Sequence, residues 1–301
     1  MNPPYEICDE RFRSMVLPNA SLETLGEGYR WLEGPVWFAD HRCLYISDLP
    51  NDRILRWTAD GGASVFRQPS GFANGHARDR HGRLLGCSHR HRCVTRTELD
   101  GTVTVLASHY RGTPLNSPND IVCRSDGSIW FTDPHYGGNT DYEGGKHDAL
   151  LPPTLYRLAP ASGELTAAAD DFEGPNGLAF SPDERWLYVS ETGRQFAAMP
   201  SHCIRRFAVG EDGAVSGGEE FHSVSPGDAD GFRVDEGGNL WSSAGDGVHC
   251  IAPDGTLLGK IRTPATVANL CFGDRDRSRL FLCVSDALMA IFVNVRGCVR
   301  P

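Results

Sequence analysis

The sequence predicts an all-β fold, a six-bladed β-propeller with four-stranded antiparallel blades around a central channel, and three observations carry that expectation. A phrase made of an Asp- or Gly-bearing turn, an apolar anchor and a short alternating run recurs six times, with anchors at Leu44, Leu84, Ile129, Leu187, Leu240 and Leu280. Successive anchors lie 40 to 58 residues apart, the range in which a four-stranded blade fits. Asp-Gly turns separate short runs rich in β-formers, and no stretch sustains a helical period with caps at both ends.

The elements follow in chain order. Residues 1–20 form an N-terminal extension and residues 21–301 the propeller domain, whose first strands close the ring against the last blade. Asp40–Asp48 carries the first copy of the phrase, and Arg53–Trp57 supplies a further strand after it. Thr154–Leu158 and Cys203–Phe207 are the matching strands later in the chain. Glycines in the turns Ala59-Asp-Gly-Gly62, Leu99-Asp-Gly101, Glu211-Asp-Gly213 and Pro253-Asp-Gly255 provide the positive φ that tight hairpins need. The long interval between the third and fourth copies contains residues 137–145, a Gly-rich surface loop placed to cover one face.

Composition narrows the function classes. Of 301 residues, 39 are acidic and 29 basic, and the net charge of -10 argues against nucleic acid or an anionic membrane as the main partner. No window of eighteen apolar residues exists to span a bilayer, and the first residues lack the basic and apolar regions of a signal peptide. A cytoplasmic chain, monomeric or weakly dimeric, is the expectation. The ten cysteines include no Cys-x-x-Cys pair and several lie in apolar runs, so they are expected as free, buried thiols.

Counting ten or eleven residues back from each anchor reaches Glu33, Asn74, Asn119, Asn176, Asp230 and Asn269. Equivalent positions in a propeller form a ring, and positions just before an inner strand lie near the axis, so six side chains with carboxylate or carboxamide groups converge there. Oxygen donors without thiolate or imidazole suit a hard cation, and two carboxylates balance a divalent one. Calcium fits better than magnesium or zinc. Asn-Gly and Asp-Gly are also common turn pairs, and only the shared register in all six copies sets these apart. Asp228–Phe232 is not an EF-hand loop, because Phe232 stands at the fifth position. The run His89–Arg92 is expected as a basic, solvated edge, and no Gly-x-Ser-x-Gly elbow supports serine chemistry.

Around these residues the sequence resembles the SMP-30/gluconolactonase/LRE family, closest to its bacterial gluconolactonases. The resemblance rests on Glu33-Gly-Pro-Val-Trp37, Leu115-Asn-Ser-Pro-Asn-Asp120, Trp130-Phe-Thr-Asp-Pro134, Gly174-Pro-Asn-Gly-Leu178 and Asp230-Gly-Phe-Arg-Val-Asp235. It implies a divalent metal, usually calcium, held by Glu33, Asn176 and Asp230, with Asn119 completing the metal shell or holding substrate. Asn74, Asp133, His135 and Tyr136 are implied as wall or substrate contacts, although an acid such as Asp133 at a strand end also serves to bind turn backbone. One departure is Ala229, where the family places proline before Asp-Gly. The expected activity is calcium-dependent hydrolysis of a small-molecule sugar lactone such as glucono-1,5-lactone, with Asp230 as general base. The alternatives are hydrolysis of other lactones or organophosphates at the same floor, or calcium binding without catalysis.

Overall fold

A computed structural model describes residues 4–193 and 202–298, and in it the chain forms the expected ring of six sheets. Each sheet is an antiparallel meander running from the axis outward. The first blade shows the plan: Leu32–Phe38 is innermost, followed outward by Cys43–Asp48, Arg53–Thr58 and Gly62–Arg67. The innermost strands of the others are Ala73–Arg78, Ile121–Cys123, Pro175–Phe180, Phe232–Val234 and Val267–Gly273. All six sequence anchors fall on the second strand of their blade, buried, at one register. The Asp-Gly hairpins join third to fourth strands, and Gly101, Gly213 and Gly255 take φ of 88°, 81° and 88°.

The ring closes as expected. Glu23–Glu27 pairs with Ala287–Phe292 and becomes the outermost strand of the last blade. Such closure leaves no blade missing its edge partner, which protects the sheet from pairing with another chain. The N-terminus does more than extend: Tyr5–Ile7 pairs with Leu257–Arg262 as a fifth strand of the fifth blade. Among the described residues, helical structure is confined to short turns such as Glu10–Ser14 and Tyr136–Asn139.

The apolar interior is divided among six clusters, each wedged between neighbouring blades. Blades one and six meet through Leu44, Ile46, Phe281 and Cys283, with Trp37 stacked on Phe281 at 5.3 Å. Blades three and four meet through Trp130 and Phe180, edge to face at 5.6 Å. Each fully buried leucine of these wedges contributes about 2 kcal/mol relative to exposure. All ten cysteines are free, and eight of them are buried, as a small hydrophobe would be. No helix among the described residues is long and apolar enough to cross a membrane.

Candidate functional site

The innermost strands approach the axis closely, and glycine makes that possible. Glu33, Asn74, Asn176 and Asp230 are each followed by glycine. A Cβ on Gly34 would lie 2.1 Å from the carbonyl oxygen of Asn74, and one on Gly177 would lie 2.1 Å from that of Asp230. The backbones instead bond directly: Gly75 N–H donates to Asn119 O at 2.8 Å and Gly177 N–H to Asp230 O at 2.9 Å. Hydroxyls on the second strands reinforce the ring, with Ser47 donating to Asn74 O at 2.8 Å and Thr132 to Asn176 O at 2.7 Å. Register breaks fall at the ring position in four blades, between Glu33 and Val36, Ala73 and His76, Pro175 and Leu178, and Val267 and Asn269. Such bulges re-aim side chains beside functional sites.

The result is a polar cavity of about 440 Å³ at one end of the channel. Glu33, Asn74, Asn119, Asn176 and Asp230 all line it, so five of the six ring residues converge as their register requires. Asn269, the sixth, is buried behind Glu33 and donates to its Oε2 at 3.3 Å. Tyr136 also lines the cavity, with its hydroxyl fixed 3.1 Å from Gly174 O and 2.5 Å from Thr192 Oγ1. Asp133 and His135 are not among the lining residues. Asp133 is fully buried, where its Oδ2 accepts from Asn116 N at 2.8 Å, and the His135 ring packs edge to face on His147.

The two carboxylates are held differently. Glu33 accepts from Trp31 Nε1 at 3.2 Å and from Gly34 N–H at 3.1 Å, besides Asn269. Asp230 has its backbone anchored, its N–H donating to Ser243 Oγ at 2.8 Å, but its carboxyl takes no hydrogen bond from any described residue. Burial pushes both acids above the usual carboxylate range, and for Asp230 the negative charge of Glu33 adds to the effect. Beneath them lies a third acid, Asp120, whose buried Oδ2 is 3.5 Å from Arg233. Arg233 lines a second, mostly apolar cavity at the opposite end of the channel, beside Val36, His76 and Cys271.

These residues fit a hard cation. Two acids raised by desolvation, Glu33 further by the charge of Asp120 and Asp230 further by that of Glu33, are relieved by nearby positive charge, and the neighbouring donors are carboxamides. Among the described residues no group of three or more His, Cys, Asp or Glu side chains is placed to hold a metal. The ring side chains that offer oxygen donors to the cavity are the carboxylates of Glu33 and Asp230 and the carboxamides of Asn74, Asn119 and Asn176.

His89 departs from expectation. Instead of a solvated strand edge it occupies a turn and is fully buried, while His91 beside it is exposed. Its Nδ1 lies 2.8 Å from Glu143 O and its Nε2 3.3 Å from Asn74 Nδ2. A carbonyl accepts only from N–H, so Nδ1 carries the proton and Nε2 receives the Asn74 amide. The Asn74 carboxamide is thereby oriented. Burial lowers the ring to about 4, which keeps it neutral. Sequence reading missed Trp31, Glu143, Thr192 and Asp228, which also line the cavity. They come from connections outside the repeated register, so no periodic signal marks them.

Comparison with known proteins follows the same lines. The SMP-30/gluconolactonase/LRE-like family pattern matches residues 31–286. The chain is 30% identical to a gluconolactonase of Zymomonas mobilis across 92% of its own length and 82% of that protein's. It is 30% identical to pentonolactonase XacC of Haloferax volcanii, over 83% and 80% of the two chains. A solved gluconolactonase from Xanthomonas campestris superposes with a TM-score of 0.90 at 40% identity, covering 97% of this chain and 96% of that one.

Proposed function

The chain belongs to the SMP-30/gluconolactonase/LRE-like family and is a lactone-hydrolysing enzyme, and on that premise we propose that it opens a sugar lactone such as glucono-1,5-lactone with the help of a divalent cation, calcium by preference. The observation that supports this reading is that Glu33 and Asp230 line one polar axial cavity together with Asn119 and Asn176. When bound, the cation supplies Lewis-acid polarisation of an ester carbonyl.

The chain's own residues divide the remaining work. Glu33, locked by Trp31, Gly34 and Asn269, is suited to a fixed ligand, because its lone pairs are already committed in direction. Asp230, with a carboxyl free of hydrogen bonds to described residues and open to the cavity, is suited to take a proton from the attacking water. Asn74, oriented by His89, and Tyr136 form walls with polar groups for sugar hydroxyls. Hydrolysis of a lactone needs no residue to form a covalent bond with substrate, in keeping with the absence of a nucleophile elbow from the sequence.

The test is acid release from glucono-1,5-lactone above the spontaneous rate, with chelator and then with calcium restored. Chelation is expected to stop turnover and calcium to recover it. Asp230→Asn is expected to lower kcat at least ~100-fold, the scale of a lost general base, with a smaller effect on calcium affinity. A variant with unchanged kcat would remove Asp230 from the role of base.

A further inference from the structure

The loop above the axial cavity carries a carboxylate that the reading so far does not use. Glu143 lines the cavity, and its side chain has no hydrogen-bond or ion-pair partner among the described residues. Its position is nevertheless built. His89 Nδ1–H donates to Glu143 O at 2.8 Å, and Arg90 Nε donates to Gly144 O at 3.0 Å. The Arg30 guanidinium lies 5.1 Å over the Tyr142 ring, which ties the loop to the first blade as well. Gly144 presses so closely on the helical turn below that a Cβ there would lie 2.6 Å from Gly137 O. Three successive residues, Tyr142, Glu143 and Gly144, are thus clamped, and what the clamp presents to the cavity is one bare carboxylate.

Resting on the lactonase reading above, we propose that Glu143 determines substrate specificity by accepting hydrogen bonds from adjacent hydroxyls of a polyhydroxylated lactone ring. A carboxylate has two acceptor oxygens in one plane, spaced to receive two neighbouring O–H donors, and such charge-assisted bonds are strong when water is excluded. Burial already pushes the Glu143 carboxyl up, so hydroxyl donors that replace lost water gain more here than at an open surface. The chemistry at the floor needs only the ester; Glu143, on the clamped loop, recognises the hydroxyls and selects among lactones. Its fixed partner His89 also orients Asn74, so the imidazole ties a polar group on the lid to one on the wall.

The experiment compares Glu143→Gln and Glu143→Ala with the parent enzyme on glucono-1,5-lactone and on δ-valerolactone, which has the ring ester and no hydroxyls. The kcat/KM ratio of the first lactone to the second is expected to fall about tenfold in Glu143→Gln and further in Glu143→Ala, with δ-valerolactone little affected. Equal losses on both lactones, or no loss, would overturn the proposal. Because the Glu143 charge is felt at Asp230, calcium affinity measured by calorimetry is expected to fall by less than about tenfold, and a loss beyond tenfold would overturn the proposal by making Glu143 a metal ligand. If the parent hydrolyses neither lactone, the lactonase reading fails on its own. Binding of 1,5-anhydro-D-glucitol, which keeps the ring hydroxyls without a carbonyl, then still decides. Weakening about tenfold in Glu143→Gln supports the specificity role, and no binding to the parent, or equal binding to both, defeats it.

Discussion

Gly177 shows how a single position carries the geometry of the site. In sequence, Asn176-Gly177 looks like a turn pair, and that reading competes with the axial one. In the structure Gly177 lies inside the strand Pro175–Phe180, and glycine is required because the neighbouring backbone at Asp230 arrives where a Cβ would stand. Gly34 meets Asn74 in the same way, so a shared close approach, not turn chemistry, explains why glycine follows ring residues. Gly177→Ala is expected to cost about 2 kcal/mol by overpacking and, by displacing Asp230, to reduce kcat/KM more than tenfold. Gly101→Ala is the control: it meets open space at φ +88°, so it costs about 1 kcal/mol in backbone strain and leaves activity intact. Denaturant midpoints and initial rates on the two variants check this, and an active Gly177→Ala would disconnect the backbone contact from the placement of Asp230. Asp133 is the opposite case, where sequence could not choose between a wall residue and a strand-end acid. In this structure its Oδ2 accepts from Asn116 N, as a strand-end acid would, and it does not line the cavity.

At the scale of the element, the second strands were legible because each repeats the same turn, anchor and alternating run, and each anchor is buried at an interface between blades. The ring residues were legible through their fixed distance from those anchors. The lid was visible only as a Gly-rich interval, since nothing periodic fixes where Glu143 points or which side chains clamp it. The closing strand was foreseen in outline, but the pairing of Tyr5–Ile7 with the fifth blade was not, because a three-residue strand carries too little pattern. The two N-terminal strands differ in consequence. Removing residues 1–8 takes away an added edge strand and is expected to lower Tm by only a few degrees, with activity retained. Removing residues 1–27 also deletes Phe12 from the interface between the fifth and sixth blades and uncovers residues 287–290 of the last blade. That truncation is expected to abolish cooperative unfolding and to aggregate through the opened edge. Thermal unfolding with light scattering separates the two, and a soluble, cooperative longer truncation would show that closure is dispensable.

For the molecule as a whole, the ring concentrates negative charge on its own axis, and that links stability to both pH and cation. Glu33 and Asp230 in the metal-free protein have carboxyls raised by burial, with mutual repulsion adding to the shift of Asp230. A group whose folded pKa is raised stabilises the fold below its unfolded value, and that contribution is lost as pH climbs through the folded value. Asp133, pushed up to about 7 by burial, acts in the same direction. His76 and His89, lowered to about 4 by burial, act oppositely: the unfolded chain takes up protons that the folded one refuses, so their contribution is lost as pH falls below the usual histidine range. These opposing groups make the bare pH profile a poor test. Comparing the protein with and without calcium at one pH cancels Asp133 and His76, which do not line the axial cavity. What remains is the competition between protons and cation for Glu33 and Asp230, in which binding requires both acids deprotonated. The rise in Tm on adding calcium is therefore expected to be largest near about pH 8 and to shrink strongly by about pH 5.5 as protons occupy the pair. In Glu33→Gln, one of the two competing acids is gone, so the rise should be smaller at both pH values and less dependent on pH. A calcium effect equal at the two pH values in the parent protein would mean that the axial acids are not where the cation binds.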